Sequence, residues 1–528
     1  MADSVENMTI GQLLDRSVVR FGDRVAYEFE GQTLTYGDLA ESVDRWARAL
    51  IASGIEHGDR ISLWMSNRIE WVLAYLAVAK IGGVLVPVNT GFRVDEAAYV
   101  VGQSDSVMLI VGSQARGRDL VSAGVDVLDA PSVIANKLLV VGGDAPVREG
   151  AVSLDEFLSG ANSVVPAALA ARAQAVRPDD VVLTLYTSGT TGFPKGAMHP
   201  HTAIRNMADA ADRMELSTAD SVVLYLPLYH VFGAAAGVIS FMYAGGSIIL
   251  METYDVGQTL DLIEGRRASV VYGIDTMYYD QLQHPSFETR DLSAVRLCLA
   301  PGRADLLRAV DSRFGTALNV YGMTETMSIT AITALDDPLA KRSETVGKPL
   351  PGFEAKVVDL DGKSLPPDVP GELVVRGHPV MIGYYKNPEA TDAVLDGDGW
   401  FRTGDIAVIA EDETVQYRGR IKDMVRVGGE NISPMEVERV IMEFPGVAMA
   451  VLVGVPDERL GEVGVAFVQV LDGKSITEPE LRAFVKERVA SFKVPRHIAF
   501  TDHFPKTGSG KIQKFKLRER FLETGLGR

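Results

Sequence analysis

From Leu185 to His199 the chain reads LYTSGTTGFPKGAMH, a concentration of residue types suited to holding phosphate. The apolar run VVLTLY (181–186) ends at Tyr186. Thr187, Ser188, Gly189, Thr190, Thr191 and Gly192 then follow without interruption before Lys195. Hydroxyls donate hydrogen bonds, glycines let backbone amides approach a ligand closely, and lysine adds charge, which are the needs of a phosphate cradle. The stretch is not a P-loop, because Gly192 is followed by Phe193-Pro194 where GxxxxGK[ST] would place lysine. A Ser/Thr/Gly surface turn is the competing reading. Further candidates are scattered: Glu325 in VYGMTET, Asp405 in GWFRTGD, Arg420 in YRGRIKD, His230 in LPLYHVFG, and Lys511 after Gly508-Ser509-Gly510. Each has a plainer alternative: a solvated or capping Glu325, an Asx turn at Asp405, a salt bridge at Arg420, a packed His230, a surface Lys511.

The elements that must position these residues alternate. RVAYEF (24–29), RISLWM (60–65), GVLVPV (83–88) and SVMLIV (106–111) read as strands. Between them lie helical segments, the first opened by a Thr35-x-x-Asp38 capping pattern. Strand-helix alternation of this kind predicts parallel sheets covered by helices. Residues 136–178 are less regular and read as a surface excursion; alternation resumes at 181 and runs to about Asn319. Gly347 to about Ala410 changes to short β-like runs broken by Gly, Pro and Asp, a small β-rich subdomain. After Arg420–Asp423 comes a compact unit in which Ser433-Pro434-Met435-Glu436 marks a helix start. VAMAVLVGV (447–455) and VGVAFVQV (463–470) are strand-like, and 477–492 is helical.

Composition bounds the function. A length of 528 residues excludes one small domain, and 47% apolar with 23% charged residues is ordinary globular material. A net charge of −18 argues against non-specific nucleic-acid binding, which needs lysine and arginine against phosphates, but not against a small anionic ligand. The single cysteine, Cys298, excludes an intrachain disulfide and a cysteine-rich metal site, and suggests a reducing compartment. It reads as a small buried apolar residue. The first residues, MADSVENM, carry no apolar signal core, so a cytoplasmic protein is expected. Val231 to Leu250 is uncharged and contains GAAAG, which fits a membrane-helix spacing. Its many Gly and Ala residues, the break at Gly245-Gly246 and the lack of a flanking basic cluster favour a short buried helix followed by a strand at Ser247–Met251.

The full string 185–199 resembles the phosphate-binding segment of the acyl-adenylate-forming superfamily. That group includes acyl-CoA synthetases, peptide-synthetase adenylation domains and firefly-type luciferases. Four further segments resemble it in the same order: VYGMTET (320–326), GWFRTGD (399–405), YRGRIKDMVRVGGENISPMEVE (417–438) and PKTGSGKIQK (505–514). The similarity extends from about Thr9 to the C-terminus. It implies that Thr187, Ser188, Gly189, Thr190, Thr191, Gly192 and Lys195 hold ATP phosphates. Tyr321, Gly322, Met323 and Thr324 would adjoin the adenine, Glu325 would hold Mg²⁺, Asp405 would meet the ribose hydroxyls, and Arg420 would offer its forked donors to ribose or phosphate. Lys511 would contact the carboxylate and phosphate oxygens during adenylation. Lys422 falls at the interdomain hinge, Gly428 and Gly429 where the pantetheine arm of CoA would pass, and His230 at the mouth of the acyl pocket.

Two places depart from the family pattern. APGRAD (300–305) stands where relatives commonly read SGGAP; Gly302 is retained in the nucleotide site, while Arg303 and Asp305 alter the adenine surroundings. Ile274-Asp275-Thr276 replaces VPT ahead of the pocket helix. Asp275 either faces a polar or cationic substrate or caps the helix, and capping is the expectation.

The resemblance thus implies an α/β fold with a large N-terminal domain (1–420) of helix-covered sheets, including the β-rich subdomain at about 347–418. A smaller, mobile α+β C-terminal domain (421–528) would follow. The implied activity is ATP-dependent ligation of a carboxylic acid, largely apolar, to coenzyme A, through an acyl-adenylate. Delivery to a carrier-protein thiol and a non-catalytic nucleotide-binding homologue are the rivals. Expected partners are the acid, ATP and CoA, with no nucleic acid, no integral membrane segment, and a homodimer as an assembly the sequence allows.

Overall fold

The aliphatic runs at 24–29, 60–65, 83–88 and 106–111 form strands, because β-branched residues fit a pleated surface. The computed structural model describes residues 5–145, 148–187, 194–427, 430–507 and 510–524. Chain contacts divide the protein into two compact units, Met1–Glu354 with Arg376–Phe401, and Ala355–Val375 with Arg402–Arg528.

The first unit contains two large sheets. One has the strand order Thr316–Leu318, Leu297–Leu299, Val270–Tyr272, Ser221–Leu224, Ser247–Leu250, Val25–Phe29, Gln32–Thr35. It is parallel apart from the closing hairpin of its last two strands. The other runs Gly383–Tyr384, Lys195–Pro200, Val181–Thr187, Val84–Pro87, Arg60–Trp64, Ser106–Gly112, Lys137–Val141, Ala151–Ser153. Its first three strands are antiparallel and the remainder parallel. The expected surface excursion at 136–178 is therefore corrected: Leu138, Leu139, Val140 and Val141 are buried and extend the parallel sheet, with short helices following at Leu154–Ser159 and Pro166–Ala175.

Helix Ile69–Lys80 is buried continuously from Trp71 to Lys80, the pattern of a helix covered all round. Its terminal lysine ties three helices: the Lys80 ammonium lies 2.9 Å from Asp15 of helix Ile10–Phe21 and 2.7 Å from Asp44 of helix Tyr36–Ala52. The latter helix begins with the expected Thr35–Asp38 capping box. Within the uncharged stretch, Phe232–Ile239 forms a π-helix, Ser240–Ala244 an α-helix and Ser247–Leu250 a strand. A Cβ on Gly233 would lie 2.4 Å from the Pro227 carbonyl oxygen, and one on Gly237 2.8 Å from Leu224, so GAAAG serves close packing inside the domain. Among the described residues, no helix is long and apolar enough to cross a membrane.

The β-rich segment builds a four-stranded sheet ordered Phe353–Val358, Gly371–Gly377, Phe401–Ile409, Val415–Arg420. Further on, strands Val447–Asp457 and Gly461–Val470 pair antiparallel, and helix Pro434–Met442 contributes Val437, Val440 and Ile441 to their apolar core. Ser433 occupies the N-cap position of that helix, but its hydroxyl donates to the Arg418 carbonyl (2.7 Å), and Glu436 pairs with Lys493 (2.6 Å) rather than closing a capping box.

Candidate active site

The glycine-rich segment joins two antiparallel strands of the eight-stranded sheet, and the register sets Thr187 opposite Lys195 at the end of the pair next to that segment. Ser188, Gly189, Thr190, Thr191 and Gly192 lie outside the described residues. On the far side of the lysine strand, Ala197 pairs with Tyr384 and Met198 with Gly383. That pairing carries the Tyr384 ring beneath Lys195, whose ammonium lies 5.2 Å from the ring centroid.

Glu325 sits in a 3₁₀ turn, Thr324–Thr326. The Tyr384 hydroxyl donates to its Oε1 at 2.9 Å, and the Met381 amide donates to its backbone oxygen at 2.8 Å. Burial, and next the Glu325 charge, push the Tyr384 phenol well above its ordinary pKa, so it stays protonated and donates. Lys195 and Glu325 are thus brought onto one tyrosine.

The turn bearing Glu325 is held tightly. A Cβ on Gly322 would fall 1.4 Å from the Ser328 carbonyl oxygen, which restricts the position to glycine. Met327 (φ 50°) and Ser328 (φ 81°) adopt left-handed backbone, a conformation that side chains other than glycine hold only under external constraint. The constraint is Asn206, fully buried, whose Nδ2 donates towards the carbonyls of Thr326 (3.2 Å), Met327 (2.9 Å) and Ile329 (3.0 Å). Tyr321 is buried and accepts the Thr330 amide on its carbonyl, while Met323 and Thr324 are half-buried. His199, on the lysine strand, is wholly buried, and that burial pushes it down to about 4, so it is neutral beside the Thr324 backbone.

Gly302 has φ +147°, and its amide and carbonyl face the Asn319 side chain at 3.3 and 3.5 Å. A Cβ there would lie 1.6 Å from Asp275 Oδ1. The expected cap at Asp275 is not formed: Ile274 is the N-cap of helix Asp275–Leu282, no side chain caps it, and Asp275 is its first residue. Its carboxyl lies instead against Gly302. Burial pushes it up to about 6, with Arg303 drawing it down and Asp305 raising it further. His230 is half-buried, and its Nδ1 accepts the Phe232 amide (3.2 Å) where the π-helix begins.

In the second unit, Asp405 lies within a strand whose register sets it opposite Arg420. The Asx-turn alternative fails, because Thr403 makes the local side-chain bonds: its Oγ1 accepts the Asp405 amide (3.1 Å) and donates to the Leu373 carbonyl (2.7 Å). Asp405 is only 2% exposed, and its Oδ1 lies 3.2 Å from Arg420 Nε. Lys422 is exposed in the 3₁₀ turn Ile421–Asp423; Gly428 and Gly429 lie outside the described residues. Lys511 is exposed on a small loop pinned by Thr507, which accepts the Lys511 amide on Oγ1 (3.0 Å) and donates its own amide to the Lys511 carbonyl (2.7 Å).

Among the described residues, no group of three or more His, Cys, Asp or Glu could cage a metal ion. The donor set suits a Mg²⁺ that keeps waters and arrives on a triphosphate, needing only one protein carboxylate. Tyr384, Asn206 and His199 escaped the reading of the sequence. Tyr384 and Asn206 act across gaps of 59 and 120 residues or more, which no spacing rule encodes.

The AMP-binding enzyme family model matches residues 14–385, and that of the AMP-binding enzyme C-terminal domain matches residues 436–511. A medium-chain acyl-CoA ligase of Mus musculus, ACSF2, is 34% identical over 97% of this chain and 88% of its own. The 3-[(3aS,4S,7aS)-7a-methyl-1,5-dioxo-octahydro-1H-inden-4-yl]propanoyl:CoA ligase of Rhodococcus jostii is 34% identical over 97% of this chain and 98% of its own. Among solved structures, ATP-bound MatB from Rhodopseudomonas palustris superposes with a TM-score of 0.84 at 29% identity, covering 98% of this chain and all of that one. The two-part match, together with relatives similar over nearly the full length, means that the chain belongs to the AMP-binding enzyme family.

Proposed function

We propose that the chain is an AMP-forming carboxylic acid–CoA ligase. In the first step a carboxylate oxygen attacks the α-phosphorus of ATP and pyrophosphate leaves. In the second, the CoA thiol attacks the acyl carbonyl and AMP leaves. Attack of an anion on a polyanion requires charge neutralisation and in-line positioning above all. The observation that supports this reading is that Lys195 and Glu325 both contact Tyr384, where the strand pair meets the glycine-rich segment.

Thr187, Lys195 and the loop between them hold the phosphates, with Gly302 and Tyr321 to Thr324 around the adenine. Mg²⁺, when bound with the triphosphate, neutralises phosphate charge, and Glu325 is the carboxylate that would hold it. Asp405 offers two acceptor oxygens to the ribose hydroxyls, kept in place by Arg420. Lys511 serves the first step, and the segment after Lys422 turns about that residue, withdrawing Lys511 and presenting Gly428 and Gly429 to CoA. The moving division is 1–420 against 421–528. The acid is largely apolar, as are the acyl groups named for the mouse and Rhodococcus relatives, and it enters past His230. The single buried cysteine suits a reducing, cytoplasmic setting.

A panel of straight-chain and ring-bearing acids, assayed for pyrophosphate release with ATP and Mg²⁺ and then for thioester formation, tests the proposal. Release with at least one apolar acid, followed by a CoA thioester, is expected. Transfer to a holo-carrier protein but not to CoA would replace the acceptor, and absence of release across the panel would refute ligase activity.

A further inference from the structure

Lys195 and Glu325 carry opposite charges and both touch Tyr384, yet among the described residues no ion pair joins them. A lysine and a glutamate this near a common side chain would neutralise each other if they met. A paired glutamate would then face a metal-bound phosphate poorly, and a paired lysine likewise a phosphate oxygen. The tyrosine satisfies both without that collapse. Its phenol donates to Glu325 Oε1 at 2.9 Å, and its ring face takes the Lys195 ammonium at 5.2 Å.

The ring itself has little freedom. The Tyr384 amide donates to Thr391 Oγ1 (2.9 Å), its strand is registered against Ala197, and the side chain is mostly buried. A Cβ on the preceding Gly383 would meet Thr391 Cγ2 at 2.9 Å, which fixes the approach of the two segments.

We infer that Tyr384 is a positioning residue that keeps Lys195 and Glu325 apart and oriented, so that both charges are available to a metal-bound triphosphate before it arrives. Preorganisation of this kind avoids reorganisation when ligand binds. The inference rests on the reading of Glu325 as the residue that meets Mg²⁺.

Tyr384→Phe keeps the ring under Lys195 and removes only the hydroxyl. Calorimetric binding of a non-hydrolysable ATP analogue, measured against Mg²⁺ concentration and again in EDTA, separates orientation from folding. The expected result is a Mg²⁺ half-saturation raised about three- to tenfold, with metal-free nucleotide binding and the ligand-free melting temperature unchanged. Glu325→Gln is measured in parallel, and the double variant should be no weaker than Glu325→Gln alone, because a hydroxyl with no carboxylate to orient contributes nothing further. If Glu325→Gln shifts the Mg²⁺ dependence while Tyr384→Phe does not, the positioning role is overturned and the reading of Glu325 stands. If Glu325→Gln itself leaves the dependence unchanged, that reading and the inference fall together. Loss of binding in EDTA as well would mark Tyr384 as merely structural and refute the inference.

Discussion

Replacing Asp275 with asparagine should make the protein more stable at pH 8 and leave it nearly unchanged at pH 4. The wild-type carboxyl is pushed from the ordinary 3.8 up to about 6, chiefly by burial, against the pull of Arg303 and with the repulsion of Asp305. A folded-state pKa above the unfolded one means that the folded protein holds the proton more tightly. The stabilisation is complete below about pH 4 and is lost as pH rises through 6. A gap of about two pKa units corresponds to roughly 3 kcal/mol by pH 8, at about 1.4 kcal/mol per unit. Asparagine keeps the volume and the polarity but cannot ionise, so the wild-type penalty at high pH disappears. Denaturant unfolding of both proteins from pH 4 to pH 8 reads the effect as a difference that grows with pH, is steepest near about pH 5, between the unfolded and folded pKa values, and levels off above 6. A difference that is flat across this range, or one in which the wild type gains with pH, would refute the account of a buried carboxyl held against Gly302.

Lys511→Ala should slow adenylate formation by about 10²–10³, while thioester formation from synthetic acyl-adenylate proceeds normally; equal failure in both half-reactions would remove the lysine from its role. Lys422→Pro fixes φ near about −65° and removes an amide donor, so adenylate formation should survive and transfer to CoA should collapse, as stopped half-reaction assays would show. Asn206→Ala deprives three carbonyls of their shared donor; a loss of about 2–3 kcal/mol in stability is expected, with a raised KM for MgATP because the turn carrying Glu325 loosens.

The parallel architecture was legible because its strands are short aliphatic runs: RISLWM and SVMLIV need no context to be read, and both lie in the eight-stranded sheet. Residues 137–141 carry a similar run, but the Ala-rich, polar residues around it obscured a strand that is buried by pairing with Ser106–Gly112 on one side and Ala151–Ser153 on the other. At the site, residue types marked the phosphate loop and its lysine. The partner that organises them did not show, since Tyr384 reaches Lys195 only through strand pairing across the sheet edge. Asp275 shows the limit at its narrowest: the helix begins one residue earlier than a cap at Asp275 requires, with Ile274 as its N-cap, which turns the carboxylate from a helix cap into a buried group.

The tie between Lys80 and two carboxylates has a chemical consequence for a protein proposed to make activated acyl groups. Acyl-adenylates and thioesters modify amines only in the unprotonated form, and a lysine sealed in an apolar interior is the kind that loses its proton most readily. Burial pulls Lys80 in that direction, yet Asp44 and Asp15 more than offset it and hold the ammonium above its usual pKa. The amine at the junction of three helices is therefore held protonated, a form with no lone pair to attack an acyl group, so the two aspartates that brace the helices also withhold a nucleophile.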